Sequence, residues 1–281
     1  MAALFGPSGN SERFYREGHK KTLEAFAWLR SLGLDAFEYP AGNGITASVA
    51  TFAALGEEAK KQGIKTSFHA PYFISLSSTE IEKRLKSVDY IKKSEEAARA
   101  LWADTIVIHT GSASKISREE AVRLATDTMY KTLEALPTSP LRFGLETMGK
   151  KNQLGTLDEV IAICKLDPRL CPVVDFGHIN AREGGCFVTK DDYRRVFDTI
   201  GNELGAEYAD TVHCHFSKIE YTVAGEKRHL TFEDTVFGPR FEPLMEAIIE
   251  EGLSPRIICE SNGTMADNAL TMKQYYQSLM K

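Results

Sequence analysis

Short apolar, β-branched runs recur along this chain, each followed by a loop and then by a stretch in which apolar residues return every three or four positions. The runs are Ala3–Phe5, Ala36–Tyr39, Thr66–Phe68, Thr105–Ile108, Arg142–Leu145, Pro172–Val174, Thr211–Val212 and Arg256–Cys259, about 30–45 residues apart. That alternation is the pattern of βα units. Between the runs, Ile81, Leu85, Val88 and Ile91 recur near a helical period while Glu, Lys and Arg fill the other face. Ser117 with Glu120, and Thr156 with Glu159, read as capping boxes that open helices. Gly33 and Gly63 stand where a left-handed residue closes one. Eight strands alternating with helices predict an α/β fold, a closed parallel (β/α)8 TIM barrel forming a single domain over residues 1–281. A doubly wound open sheet is the alternative.

Length and composition agree with that expectation and narrow the setting. A chain of 281 residues, 43% hydrophobic, suits one large globular barrel. The formal net charge of −5 supplies no broad basic field, so any contact with nucleic acid must come from a local patch. Met1 to Gly6 has no basic stretch before its apolar residues, and no apolar run approaches the roughly 18 residues of a membrane span. The five cysteines form no CxxC pair and are odd in number, which reads as reduced thiols. A cytoplasmic protein is expected, without membrane attachment and monomeric, with no protein partner implied.

The residues that end the runs change the picture most. The third run stops at His69, the fourth at His109, the fifth at Glu146, the sixth at Asp175, the seventh at His213 and His215, and the eighth at Glu260. In a barrel these positions converge on the C-terminal face, where active sites are built. Imidazoles and carboxylates packed together repel one another or stay desolvated unless a cation offsets them. Imidazole with carboxylate and no convergent thiolate suits Zn2+, Mn2+ or Fe2+. Side chains alternate along a strand, so Cys214 and Cys259 face away from the histidines and Glu260 and read as small buried hydrophobes. His178 follows Asp175 by three residues, and Glu226 and His229 lie in the long segment after the seventh run. This is more than one ion needs, and argues for two or three.

Taken together, His69–Tyr72, Val107–Ser112, Leu145–Glu146 with Asn152–Gly155, Val174–His178, His213–Lys218, Lys227–His229 and Cys259–Glu260 match a known pattern in order and spacing. The chain resembles the endonuclease IV type of apurinic/apyrimidinic endonucleases, within the wider xylose isomerase-like TIM barrels. The resemblance covers nearly the whole chain and implies three zinc ions. It places His69 and His109 on the first ion, Glu146 as bridge, Asp175, His213 and Glu260 on the second, and His178 and His229 on the third. Of His213 and His215, which face the same way, His213 aligns with the family through Ser217 and Lys218. Glu146 and Glu260 are the catalytic candidates of a hydrolase that incises DNA 5′ to an abasic site. Tyr72 resembles a damage-recognition residue, and Lys150, Lys151, Lys218, Lys227, Arg228 and Arg240 are candidate phosphate contacts.

Two departures accompany the resemblance. Lys227 stands where the family places an aspartate on the third ion, so either Glu226 replaces it or that site is weak or absent. The loop after the second run, Pro40 to Gly44, is short and uncharged, without the family's arginine-bearing insertion. The rival function is a divalent-metal sugar isomerase or epimerase on the same barrel. It would use one ion on Glu146, Asp175, a histidine of the seventh strand and Glu260, with two glutamates moving a proton beside a carbonyl.

Overall fold

A computed structural model of the chain describes residues 2–280. Eight parallel strands form one sheet: β1 (Leu4–Pro7), β2 (Ala36–Pro40), β3 (Lys65–His69), β4 (Thr105–His109), β5 (Arg142–Glu146), β6 (Leu170–Asp175), β7 (His213–Phe216) and, after a two-stranded insertion of β8 (Ile219–Thr222) and β9 (Gly225–His229), β10 (Arg256–Cys259). Each barrel strand pairs with its neighbours in the order β1-β10-β7-β6-β5-β4-β3-β2. The ends meet where Asp35 donates its backbone N–H to the Phe5 carbonyl at 2.9 Å and Gly9 donates to the Glu38 carbonyl at 2.9 Å. Closure requires glycine at position 6, because a Cβ there would lie 1.9 Å from the Ala36 carbonyl oxygen. The expected TIM barrel is therefore the fold.

Helices pack outside the barrel, and the apolar core lies between the two layers. Strands covered on both faces are apolar on the helix-facing side, as with Ile106 and Ile108 of β4 and Phe143 and Leu145 of β5. Cys214 and Cys259 belong to this outer core, as their alternation with the inward residues demanded. At the helix starts, Thr156 and Glu159 form the reciprocal capping box, whereas Ser117 accepts from the Glu120 N–H in a one-sided cap. Gly63 closes the helix Val49–Gln62 at φ 69°.

Two elements differ from the sequence reading. The seventh strand is His213–Phe216, not Thr211–Val212. Its polar residues face into the barrel and Cys214 and Phe216 face the core, so an apolar run is a poor marker for it. The antiparallel hairpin β8–β9 gave no signal as strands. In it Ile219 pairs with His229 and Glu220 with Arg228, but Tyr221 pairs with Glu226. One step along β8 thus spans two along β9, which makes Lys227 the extra residue of a β-bulge.

Candidate metal centre

The residues that end β3 to β6, with partners from β7, β10 and the hairpin, converge at the C-terminal mouth. Five groups of ligand atoms arise among the described residues, each with its members within 4.8 Å of one another: His69, His109 and Glu146; Glu146, Asp175, His215 and Glu260; His178, Glu226 and His229; and, deeper in the barrel, Glu38, His213 and His215, and Glu38, His69 and Glu260. Glu146 joins the first two. Its Oε2 lies 3.3 Å from His69 Nε2 and 3.0 Å from His109 Nε2, and its Oε1 lies 3.1 Å from His215 Nδ1. His178 links the second and third, with Nδ1 3.3 Å from Asp175 Oδ2 and Nε2 3.5 Å from Glu226 Oε2.

Local structure aims these rings. His69 Nδ1 lies 2.9 Å from the Ala70 carbonyl, which keeps Nδ1 as a donor and turns Nε2 toward Glu146. His178 Nδ1 is 2.9 Å from the Thr147 carbonyl, and its own backbone N–H donates to Asp175 Oδ1 at 2.7 Å, so the carboxylate also caps the helix Phe176–Arg182. His229 Nδ1 is 2.9 Å from Ser217 Oγ. Outer nitrogens engaged by carbonyl or hydroxyl, with inner nitrogens facing carboxylates, is the arrangement of a metal-ligating histidine.

Of the two histidines of β7, His215 joins Glu146, Asp175 and Glu260, its Nδ1 lying 3.7 Å from Glu260 Oε1. His213, expected in this place, groups instead with Glu38 and His215. Both side chains point into the barrel, but His213 is one pleat nearer the N-terminal end and contacts Glu38 at 3.0 Å. It lines a cavity of about 360 Å³ there with Arg142, Tyr208 and Arg256. The bulge at Lys227 settles the hairpin. It turns Glu226 to the side of His229, while Lys227 and Arg228 both pair with Glu220.

Electrostatics reflects the crowding. Burial alone would raise the Glu146 carboxyl, but His109 and His215 hold it well below its ordinary value. Asp175 is raised by burial and the neighbouring carboxylates. His69 loses solvation yet is pushed up to about 9 by Glu146. His178 and His215 are also raised despite burial, by Asp175 and Glu38 respectively before other carboxylates. Fully buried Glu146 and Asp175, with Asp175 Oδ2 lacking any hydrogen-bond partner, form a site that a divalent cation fits. The oxygen and nitrogen donor set suits Zn2+, Mn2+ or Fe2+.

Above these groups opens a cleft of about 400 Å³ lined by Tyr72, His109, Lys150 and Glu226, among others. Tyr72 is 55% exposed and stacks on His109, centroids 5.1 Å apart and planes 20° from parallel. The short loop after β2 is its floor, since a Cβ on Gly42 would lie 2.2 Å from the Tyr72 ring. Lys150 lies on the rim, and the Lys218 ammonium donates to the carbonyls of Phe232 and Asp234. Arg240 pairs with Glu242 at 3.3 Å.

Sequence reasoning missed three participants. Glu38, in the middle of β2, is fully buried and contacts both His213 and His215; a carboxylate between two aromatic residues of an apolar run was the available signal. Arg182 is buried and donates to the carbonyls of Met148, Lys150, Lys151 and Gln153, holding the loop that carries Lys150. Arg118 adds hydrogen bonds to Lys151 and Gln153. No spacing announced either arginine.

The profile of the xylose isomerase-like TIM barrel family matches residues 26–278. The chain belongs to this family. Among its relatives, "Uncharacterized protein MJ0133" of Methanocaldococcus jannaschii is 30% identical over 88% of this chain and 89% of its own length. "Probable endonuclease 4" of Acholeplasma laidlawii is 30% identical over 68% of this chain and 65% of its own length. Among solved structures, endonuclease IV from Thermus thermophilus superposes with a TM-score of 0.71 at 18% identity, covering 99% of this chain and 100% of that one. A D-tagatose 3-epimerase-like protein gives 0.70 at 20% identity over 88% and 89% of the two chains. The xylose isomerase-like barrel is thus shared with hydrolase and epimerase alike, and the structural likenesses speak for the fold alone. Among the described residues no helix is long and apolar enough to cross a membrane.

Proposed function

We propose that this chain is a metal-dependent phosphodiester hydrolase of the endonuclease IV kind, incising DNA on the 5′ side of abasic sites and using two or three zinc ions. One observation carries the reading: three adjoining ligand groups run across the mouth, joined by Glu146 and His178. A one-ion isomerase site on Glu146, Asp175, His215 and Glu260 leaves His69, His109, His178 and His229 without a task. The relatives named probable endonuclease 4 support the same direction, although the alignment with the first of them spans only 65% of its length.

His69, His109 and Glu146 would hold one ion, Glu146, Asp175, His215 and Glu260 a second, and His178, Glu226 and His229 a third. Ions held by these residues would supply charge neutralisation of a phosphate and a lowered pKa for water. The protein's own part is orientation. Thr147 and Ala70 carbonyls fix the imidazoles, Arg182 fixes the loop that presents Lys150 to a phosphate oxygen, and the Tyr72 ring shields the site over His109. Glu146 and Glu260 set the spacing of the negative charge around the reacting phosphorus.

The test pairs elemental analysis of protein purified without chelator with cleavage of a duplex oligonucleotide holding one abasic site. Two to three zinc per chain, and incision abolished by Glu146→Gln, support the proposal. A single ion, no incision and turnover of a ketose or aldose would replace it with the isomerase reading.

A further inference from the structure

Glu38 sits beneath the metal centre, on the barrel axis side of β2, and is fully buried. Its Oε2 accepts from Ser67 Oγ at 2.9 Å and lies 3.0 Å from His213 Nε2. Its Oε1 lies 3.0 Å from His215 Nε2, and each of these two buried atoms is left without an aligned hydrogen bond. The opposite nitrogen of the same ring, His215 Nδ1, is the one that faces Glu146 and Glu260. A lone carboxylate in a barrel interior is destabilising, and an apolar residue would fill that position with less desolvation.

We infer that Glu38 is a positioning residue: its carboxylate holds the Nε2–H of His215 by accepting from it, so that Nδ1 is the nitrogen offered to the ion held with Glu146, Asp175 and Glu260, while Ser67 and His213 anchor Glu38 from the far side. Carboxylate–imidazole–metal series of this kind orient the ring and raise its basicity. His213 thereby has a function at one remove from the ion. Its Nε2 donates to Glu38, and its Nδ1, buried without a partner, borders the cavity at the N-terminal end. The pair gives both inward histidines of β7 a task although only His215 reaches Glu146, Asp175 and Glu260.

The inference rests on the metal reading of that group, and the experiment separates the two. Zinc titration against a chromophoric chelator, elemental analysis and 15N-detected histidine NMR of the zinc-loaded protein are run on wild type, Glu38→Gln and His213→Ala. The expected results are a ring with Nε2 protonated and Nδ1 bound for His215, zinc affinity at one site lowered about 10- to 100-fold in Glu38→Gln, and a smaller loss in His213→Ala. Wild-type protein that takes up no metal overturns the metal reading itself. Zinc uptake with unchanged affinity in a folded Glu38→Gln overturns the role of Glu38. Should that variant not fold, the wild-type spectrum still decides, because His215 bound through Nε2 refutes the inference. An additional ion lost in both variants would make Glu38 and His213 ligands, and refutes it equally.

Discussion

Replacing Glu226 by glutamine tests the hairpin register and the third ligand group together. The carboxylate Oε2 stands 3.5 Å from His178 Nε2, and the Glu226 side chain is 14% exposed. At an effective dielectric constant of about 20, a unit charge acts over that distance with about 5 kcal/mol per charge. Glutamine keeps a carbonyl dipole, and water at the rim screens part of the field, so a net loss of about 2–3 kcal/mol is expected, or roughly 30- to 150-fold in affinity for one ion. The assay is competition with a zinc chelator, read beside the zinc content after dialysis. Lys227→Asp, which restores the residue that the family pattern places there, should neither improve the site nor rescue Glu226→Gln. In the bulged register Lys227 faces Glu220, away from His178. Rescue by aspartate at 227, or unaltered zinc binding in Glu226→Gln, would refute the register argument.

Three more outcomes follow from the geometry. His69, raised to about 9, and His178 and His215, also raised, carry protons through neutral pH when metal-free, so metal binding must release protons and weaken as pH falls; calorimetry in buffers of different ionisation enthalpy should report net release, and none would contradict the ligand assignment. Arg182→Met removes hydrogen bonds to four carbonyls of the 148–153 loop, leaving that of Met148 without a donor while Arg118 and the Gln153 N–H still serve the others, and should lower stability by about 1–3 kcal/mol in urea unfolding; a change below about 0.5 kcal/mol would show that water replaces the guanidinium. Gly42→Val drives a side chain into the Tyr72 ring, where a Cβ already falls at 2.2 Å; abasic-site affinity should fall several-fold with metal content unchanged, and equal binding by the variant would remove Tyr72 from DNA recognition.

The sequence alone determined the barrel, because eight apolar runs alternating with helical stretches have few ways to bury both faces of a strand. It also determined which side chains meet at the mouth, since run-ending residues His69, His109, Glu146 and Asp175 must converge once a parallel barrel closes. Only the tertiary structure decided the rest. A histidine's reach depends on its height along the barrel, and neighbouring strands set that height: His215, level with Asp175 in the register of β6 and β7, meets the carboxylates, whereas His213, level with Val173, meets Glu38. Parity along β9 depends on a single unpaired residue, so the spacing of Glu226, Lys227 and His229 was ambiguous until the bulge resolved it. Lys218 shows the same limit from the other side. Its charge is plain in the sequence, but whether an ammonium is free for phosphate depends on which carbonyls surround it, and here Phe232 and Asp234 supply them.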